Sequence, residues 1–115
     1  MTAGERLVHL VPPKTNFYDQ HERRSYLRAV EIAKRLVDDP SAIASGAKYL
    51  ARFVRDDVRQ QRAYREWASL LQAPVEDIAR ALLEDSEHGA RLRDTAPVFF
   101  VISRDQLQRI WARRP

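Results

Sequence analysis

The chain has 115 residues, no cysteine, and 20 basic against 16 acidic residues, so its formal net charge is +4. This length suffices for one domain whose core needs neither disulfides nor metals, and the lack of cysteine excludes disulfide frameworks, thiolate nucleophiles and cysteine-ligated zinc. The positive charge permits a polyanion or an acidic protein as partner. Seventeen of the basic residues are arginine, a bias that suits phosphate binding and that GC-rich coding also produces.

No apolar run approaches the roughly 18 residues that span a bilayer. The first residues also lack the charged and apolar regions of a secretory signal. The sequence therefore predicts a soluble, cytoplasmic protein without a membrane partner.

The first apolar segment, residues 7–11, ends at Pro12-Pro13. Since a double proline forces an extended path, we expect this segment to be a short edge strand. Its expected partner is 98–102, which belongs to the most apolar and β-prone run of the chain. An isolated pair of strands is marginal in water, so helices must cover one of its faces.

A long amphipathic helix is predicted from Asn16 or Asp19 to Val37. Its apolar residues recur at helical spacing, and basic residues occupy the other side. The apolar stripe consists of Tyr26, Leu27, Ala29, Val30, Ile32, Ala33, Leu36 and Val37.

The next helix is expected to start at Pro40, with Asp39 as its N-cap. Its interior contains Gly46, which costs about 1 kcal/mol relative to alanine; a close helix crossing there is one reason for such a glycine. At Asp56-Asp57 the helix either ends, with Asp57 capping a new segment to Gln72, or continues to Leu71. We favour a break, because aspartate is a poor interior residue and a good cap.

Three further helices complete the pattern. One begins at Pro74, the second is capped by Asp85 or Ser86, and the last follows a Ser103–Gln106 capping box. The last helix has an apolar face of Leu107, Ile110 and Trp111. The predicted fold is mainly α: one compact domain of about five to six helices with a two-stranded pairing of residues 7–11 with 98–102 near the termini.

Catalytic and metal-binding patterns are absent from the sequence. His9, His21 and His88 have no second ligand at the spacing of a helical metal site, and neither a phosphate-binding loop nor a nucleophile elbow occurs. The acidic pairs lie at predicted helix ends, where capping accounts for them; they are Asp38-Asp39, Asp56-Asp57 and Glu84-Asp85. We therefore expect a protein that is not an enzyme and that uses no cofactor or metal.

A row of basic residues is the first candidate for binding. On one continuous helix these residues would line a single face and track phosphates. The favoured interpretation is a solvated face that is partly paired with Asp56 and Glu66; a surface for nucleic acid or an acidic protein is the alternative. The candidate polyanion-binding face consists of Lys48, Arg52, Arg55, Arg59 and Arg62.

Residues 77–93 resemble the DNA-binding segment of helix-turn-helix regulators. The resemblance rests on an Ile-Ala-x-x-Leu start, a serine before the second helix and a final Arg91-x-Arg93, and it covers less than a fifth of the chain. The segment departs from the family at the turn, Leu83-Glu84-Asp85, and its acidic residues would face phosphate. Two consecutive core helices are the alternative and the favoured interpretation.

The last candidate for binding is an aromatic surface near the C-terminus. If the apolar run is extended, neighbouring phenylalanines point to opposite sides, so one of them needs a cover from the last helix or from another protein. The candidate partner-binding surface consists of Phe99, Phe100, Ile102 and Trp111. By elimination, the sequence predicts a non-catalytic bacterial regulator or antitoxin-like module that binds a partner protein, with nucleic-acid binding as the alternative; the oligomeric state stays open.

Overall fold

The computed structural model describes residues 1–97, 99 and 104–112, except for the side chain of Leu107. The described part is mainly helical, as predicted, with more helices than expected and no strand. Its seven α-helices are α1 (Ala3–Leu10), α2 (Gln20–Asp38), α3 (Ile43–Tyr49), α4 (Gln61–Leu70), α5 (Val75–Leu83), α6 (Glu87–Asp94) and α7 (Arg104–Ala112). Short 3₁₀ turns, Pro40–Ala42 and Val58–Gln60, precede α3 and α4, and a π-helical segment, Leu50–Val54, extends α3.

Helices α2 and α5 form the centre of the fold, because both contribute to two clusters of buried side chains. The larger cluster joins them to α3, α4, α6 and Phe99. The smaller cluster joins them to α1 through Leu7. Trp67 of α4 and Leu36 of α2 are fully enclosed in the larger cluster. None of the helices in the described ranges has the length and apolarity that crossing a bilayer requires.

The predicted strand over residues 7–11 is wrong, because this segment belongs to α1. Thr2 caps the helix: its side chain accepts from the backbone N–H of Glu5, and the Glu5 side chain accepts from the backbone N–H of Thr2. This capping box favours a helix start at Ala3. The expected pairing with 98–102 therefore lacks its first strand, and residues 98 and 100–102 lie outside the described part of the chain.

Helix α1 packs closely on α2 at Gly4. A Cβ at this position would lie 2.1 Å from the backbone oxygen of Lys34, so no larger residue fits without moving a backbone. The backbone N–H of Gly4 donates to the Asp38 carboxylate at 2.8 Å. The end of α2 thus holds the first turn of α1, and Asp38 has a structural role.

The predicted helix boundaries are confirmed at several capping residues. Asp19 caps α2, Asp39 caps the turn that starts at Pro40, and Ser86 caps α6. The favoured break is also confirmed: Asp57 accepts from the backbone N–H of Arg59 at 2.9 Å, and a new helical segment begins there. The C-terminal helix is present as α7, whereas its predicted Ser103 cap lies outside the described residues.

Phe99 enters the larger core cluster beside Gly46. The ring is 3% exposed and makes an edge-to-face contact with Trp67, with 6.1 Å between ring centroids. A Cβ on Gly46 would lie 2.3 Å from a ring carbon of Phe99. The Ser45 hydroxyl lies within hydrogen-bond distance of the backbone oxygen of Phe99. The neighbour of Gly46 is therefore the Phe99 side chain and not the crossing helix that the sequence suggested.

Candidate nucleic-acid interface

The predicted basic row does not lie on one helix. Lys48 lies in the last turn of α3 and Arg52 in the π-helical segment, whereas Arg59 and Arg62 follow the break at Asp57. Both parts of the row are exposed. The structure therefore keeps these residues at the surface but divides the row into two groups.

The two groups differ in how their charges are paired. The residues after Arg52 pair with acidic side chains. Arg55 Nε lies 3.6 Å from Asp56 Oδ1, and Arg59 Nε lies 3.8 Å from Asp57 Oδ1. Lys48 and Arg52 form no ion pair with any carboxylate in the described part of the chain. The unpaired positive charge of the row is therefore concentrated at Lys48 and Arg52.

An aromatic ring lies beside one of these two cations, Arg52. The Arg52 guanidinium carbon is 5.1 Å from the ring centroid of Phe53, a cation–π distance. The rings of Phe53 and Tyr49 are tilted by 47° with centroids 5.0 Å apart. Phe53 is 54% exposed. We call the surface formed by Lys48, Tyr49, Arg52 and Phe53 the basic–aromatic surface.

The π-helical turn explains why Phe53 faces solvent. Leu50 and Val54 are buried and anchor this segment in the core. The backbone N–H of Arg55 donates to the oxygen of Leu50 at 2.8 Å, a bond that spans five residues rather than four. This wider turn keeps Val54 nearly in line with Leu50 and carries Phe53 round to the outside.

Arg62 is engaged in a cluster that fastens α4 to α6. The Glu66 carboxylate lies 3.0 Å from Arg62 Nε, 3.2 Å from Arg91 Nε and 3.4 Å from His88 Nε2. Partial desolvation raises the pKa of Glu66, but hydrogen bonds and charge from Arg91 and Arg62 outweigh it and lower the pKa below its usual value. Arg62 therefore has an internal structural partner.

Asp57 has the capping role that its position predicted. Its carboxylate accepts from the Gln60 side-chain amide at 2.8 Å and from the Arg59 backbone N–H. These two hydrogen bonds, that of Gln60 first, lower the pKa of Asp57. The carboxylate is thus kept ionised to lower pH than a free aspartate and marks the break in the basic row.

The helix-turn-helix-like segment forms two helices, α5 and α6, and its last two arginines, Arg91 and Arg93, are engaged within the fold, whereas Arg80 is exposed. Arg93 is 6% exposed, and its Nη1 donates to the backbone oxygens of Leu82 at 3.0 Å and Glu84 at 2.9 Å. Burial lowers the pKa of Arg93. Arg91 pairs with Glu66. Because both arginines stabilise the fold, the favoured interpretation as two core helices is the one that the structure supports.

Only two residues of the predicted partner-binding surface, Phe99 and Trp111, lie in the described part of the chain. Phe99 is buried, so its side chain is not exposed to a partner, and Phe100 and Ile102 lie outside the described residues. Trp111 is half-buried, and its ring lies 5.8 Å from the Arg24 guanidinium of α2. Its indole N–H points to the backbone oxygen of Arg24 at 3.4 Å. Ile110 is buried as predicted.

His21, His88 and Asp85 form ion pairs with residues of other segments. His21 lies 3.4 Å from Asp94, and His88 lies between Glu66 and Glu84. Lys14 pairs with Asp85 at 2.9 Å, chiefly through a hydrogen bond that raises the pKa of Lys14. Within the described ranges, no group of three or more histidine, cysteine, aspartate or glutamate residues is placed to hold a metal ion.

Sequence reasoning found the cations of the candidate site but missed its aromatic residues. A usable signal was present, since Lys48 and Arg52 are four residues apart and Tyr49 and Phe53 repeat that spacing one residue later. Such an offset places an aromatic stripe beside a basic stripe on one helix. Comparison with protein-family models, curated proteins and solved structures found no significant match to this chain.

Proposed function

We propose that this protein binds nucleic acid through the basic–aromatic surface and acts by binding rather than by catalysis. The observation that carries the proposal is the contact between the Arg52 guanidinium and the exposed ring of Phe53, with Lys48 one turn away. Neither cation has an acidic partner among the described residues. A cation without an internal partner keeps its full charge for a phosphate.

The chemistry of this surface suits nucleic acid in two ways. Positive side chains bind phosphates and release the counterions condensed around them, which drives association. Exposed aromatic rings offer a stacking surface for bases. An exposed phenylalanine also costs solvation free energy in the unbound protein, and a bound base would cover it.

Binding of a protein partner is the competing function. Of the residues expected to bind a partner protein, Phe99 is buried in the core, and Trp111 is half-buried against α2. Phe53 and Val58, both more than half exposed, would instead allow an acidic protein to dock beside Arg52. This alternative shares the surface but not the ligand, so direct binding measurements separate the two.

The experiment measures the binding of fluorescein-labelled oligonucleotides by anisotropy over a range of salt concentrations. We expect the double variant Lys48→Glu/Arg52→Glu to lose about tenfold or more in affinity. Each phosphate contact with a single strand that the variant removes lowers the magnitude of the slope of log K against log salt by about 0.7. Both residues are exposed, so circular dichroism should show an intact fold.

The matched control is Arg6→Glu/Arg80→Glu, which changes the net charge equally at exposed residues of α1 and α5. This control should lose much less affinity. Equal losses in the two double variants would mean that net charge alone drives binding, which would contradict the proposed surface. A wild-type protein that binds no oligonucleotide would overturn the proposed function itself.

A further inference from the structure

The exposed ring of Phe53 bears on whether the bound nucleic acid is single-stranded or a duplex. In a duplex, each base is stacked between its neighbours and its faces are closed to side chains. In a single strand, bases are free to stack on aromatic rings and on guanidinium groups. A stacking surface therefore contributes to single-strand binding and contributes little to duplex binding.

The arrangement around Phe53 fits a base better than a phosphate. The Arg52 guanidinium lies over the Phe53 ring, 5.1 Å from guanidinium carbon to ring centroid, and the centroid of the half-buried Tyr49 ring lies 5.0 Å from that of Phe53. Lys48, one turn before Arg52, offers a point charge for a neighbouring phosphate. One cation thus remains for the backbone while the flat groups contact a base.

The break at Asp57 argues against a duplex on independent grounds. A rigid duplex presents phosphates at regular spacing and would be followed best by an unbroken row of cations. Here the row is divided, and Asp56, whose side chain is 86% exposed, lies directly after Arg55. A flexible strand can bend away from this carboxylate, whereas a rigid one meets its repulsion.

From these observations we infer that the ligand is single-stranded nucleic acid, with one base stacked on Phe53 and the Arg52 guanidinium and a neighbouring phosphate on Lys48. This inference rests on the proposed function and specifies its ligand. Leu50 and Val54, both buried, fix the π-helical segment and so hold the stacking groups in place before binding. A site held in this way spends less free energy on ordering its side chains.

The test compares oligo(dT) with the duplex that it forms with oligo(dA), using wild-type protein, Phe53→Leu and Phe53→Trp. We expect oligo(dT) to bind more tightly than the duplex, and Phe53→Leu to lose about tenfold for oligo(dT), since stacking of one base contributes about 1–3 kcal/mol. The affinity for the duplex and the retention on heparin should not change. Phe53→Trp should keep the affinity, and oligo(dT) should quench its fluorescence beyond the quenching of the wild type.

Each other outcome contradicts a defined part of the reasoning. Equal affinities for the two ligands, with no effect of Phe53→Leu, would overturn the inference and leave nucleic-acid binding by Lys48 and Arg52 intact. Absence of binding to both oligonucleotides, together with binding to poly-glutamate, would overturn the inference and the proposed function and would identify an acidic protein as the partner class. Because Phe53 is 54% exposed, its variants are expected to fold, and a urea titration checks this.

Discussion

Replacing Gly46 with alanine sets two effects of similar size against each other. Alanine in a helix interior is favoured over glycine by about 1 kcal/mol. The new Cβ, however, would lie 2.3 Å and 2.6 Å from two ring carbons of Phe99. This ring is buried against Trp67 and has little room to move, and overpacking of this kind costs about 1–3 kcal/mol. We expect Gly46→Ala to lower the free energy of unfolding by about 1 kcal/mol.

Urea denaturation followed by far-ultraviolet circular dichroism measures this change. Ala47→Gly is the control, because it reverses the helix-propensity effect at an exposed position of α3 and should cost about 1 kcal/mol without any clash. In a Phe99→Leu background the ring is gone. Gly46→Ala should then stabilise the protein by up to about 1 kcal/mol relative to Phe99→Leu alone.

The coupling between the two positions is therefore expected to be about 2 kcal/mol, a large value for a double-mutant cycle. Stabilisation by Gly46→Ala to the same extent in the wild-type and Phe99→Leu backgrounds would refute the packing of Phe99 against α3. In that case no packing contact would require glycine at position 46, and Phe99 would not belong to the core cluster.

Three further predictions concern the fold. Arg93→Ala should lower the free energy of unfolding by about 2–4 kcal/mol in urea denaturation, because the carbonyls of Leu82 and Glu84 lose a charged donor. For the exposed control Arg80→Ala, the free energy of unfolding should stay within about 0.5 kcal/mol of the wild type. Thr2→Ala should destabilise α1 by about 1 kcal/mol and speed amide exchange in that helix first; uniform exchange across the chain would contradict this. The pKa of Glu66 in the folded protein lies below its ordinary value of 4.5. Ionised Glu66 therefore stabilises the folded protein fully above pH 4.5, and this contribution is lost as the pH falls through the folded pKa. Stability should therefore fall more steeply with acid in the wild type than in Glu66→Gln, and parallel pH curves would contradict the role of the Glu66 cluster.

Local sequence signals predicted the helices wherever the stabilising interactions join residues that are close in the chain. The apolar stripe of α2 and the capping residues Asp19, Asp39 and Ser86 act within a few residues of the chain. The break at Asp57 belongs to the same class, because a side chain that accepts backbone N–H groups stops one helix and starts another. The local signal at Thr2 and Glu5 was equally readable, but the double proline after residue 11 dominated the prediction of a strand.

The candidate site was predictable in part. The spacing of Lys48 and Arg52 predicted two exposed cations on one helix, and the structure has both. Arg62 was predicted to join these two cations, but it pairs with Glu66, which also pairs with Arg91 from another helix. The exposure of Phe53 depended on the π-helical turn, whose wider register is set by how Leu50 and Val54 fit the core. Periodicity assumes a regular helix and so misses this kind of shift.

The sequence by itself determined that the chain is mainly helical, where most of its helices begin and that its surface is rich in arginine. Only the tertiary structure decided which aromatic and basic side chains are free to bind a ligand. Phe99 and Phe53 have the same side chain, yet one fills the space above Gly46 and the other is left outside. Arg93 and Arg52 differ in the same way: Arg93 donates to a backbone carbonyl near the end of α5 in the interior, whereas Arg52 lies over an exposed ring. The physical reason is that burial depends on contacts between residues far apart in the chain, and no local pattern specifies those contacts.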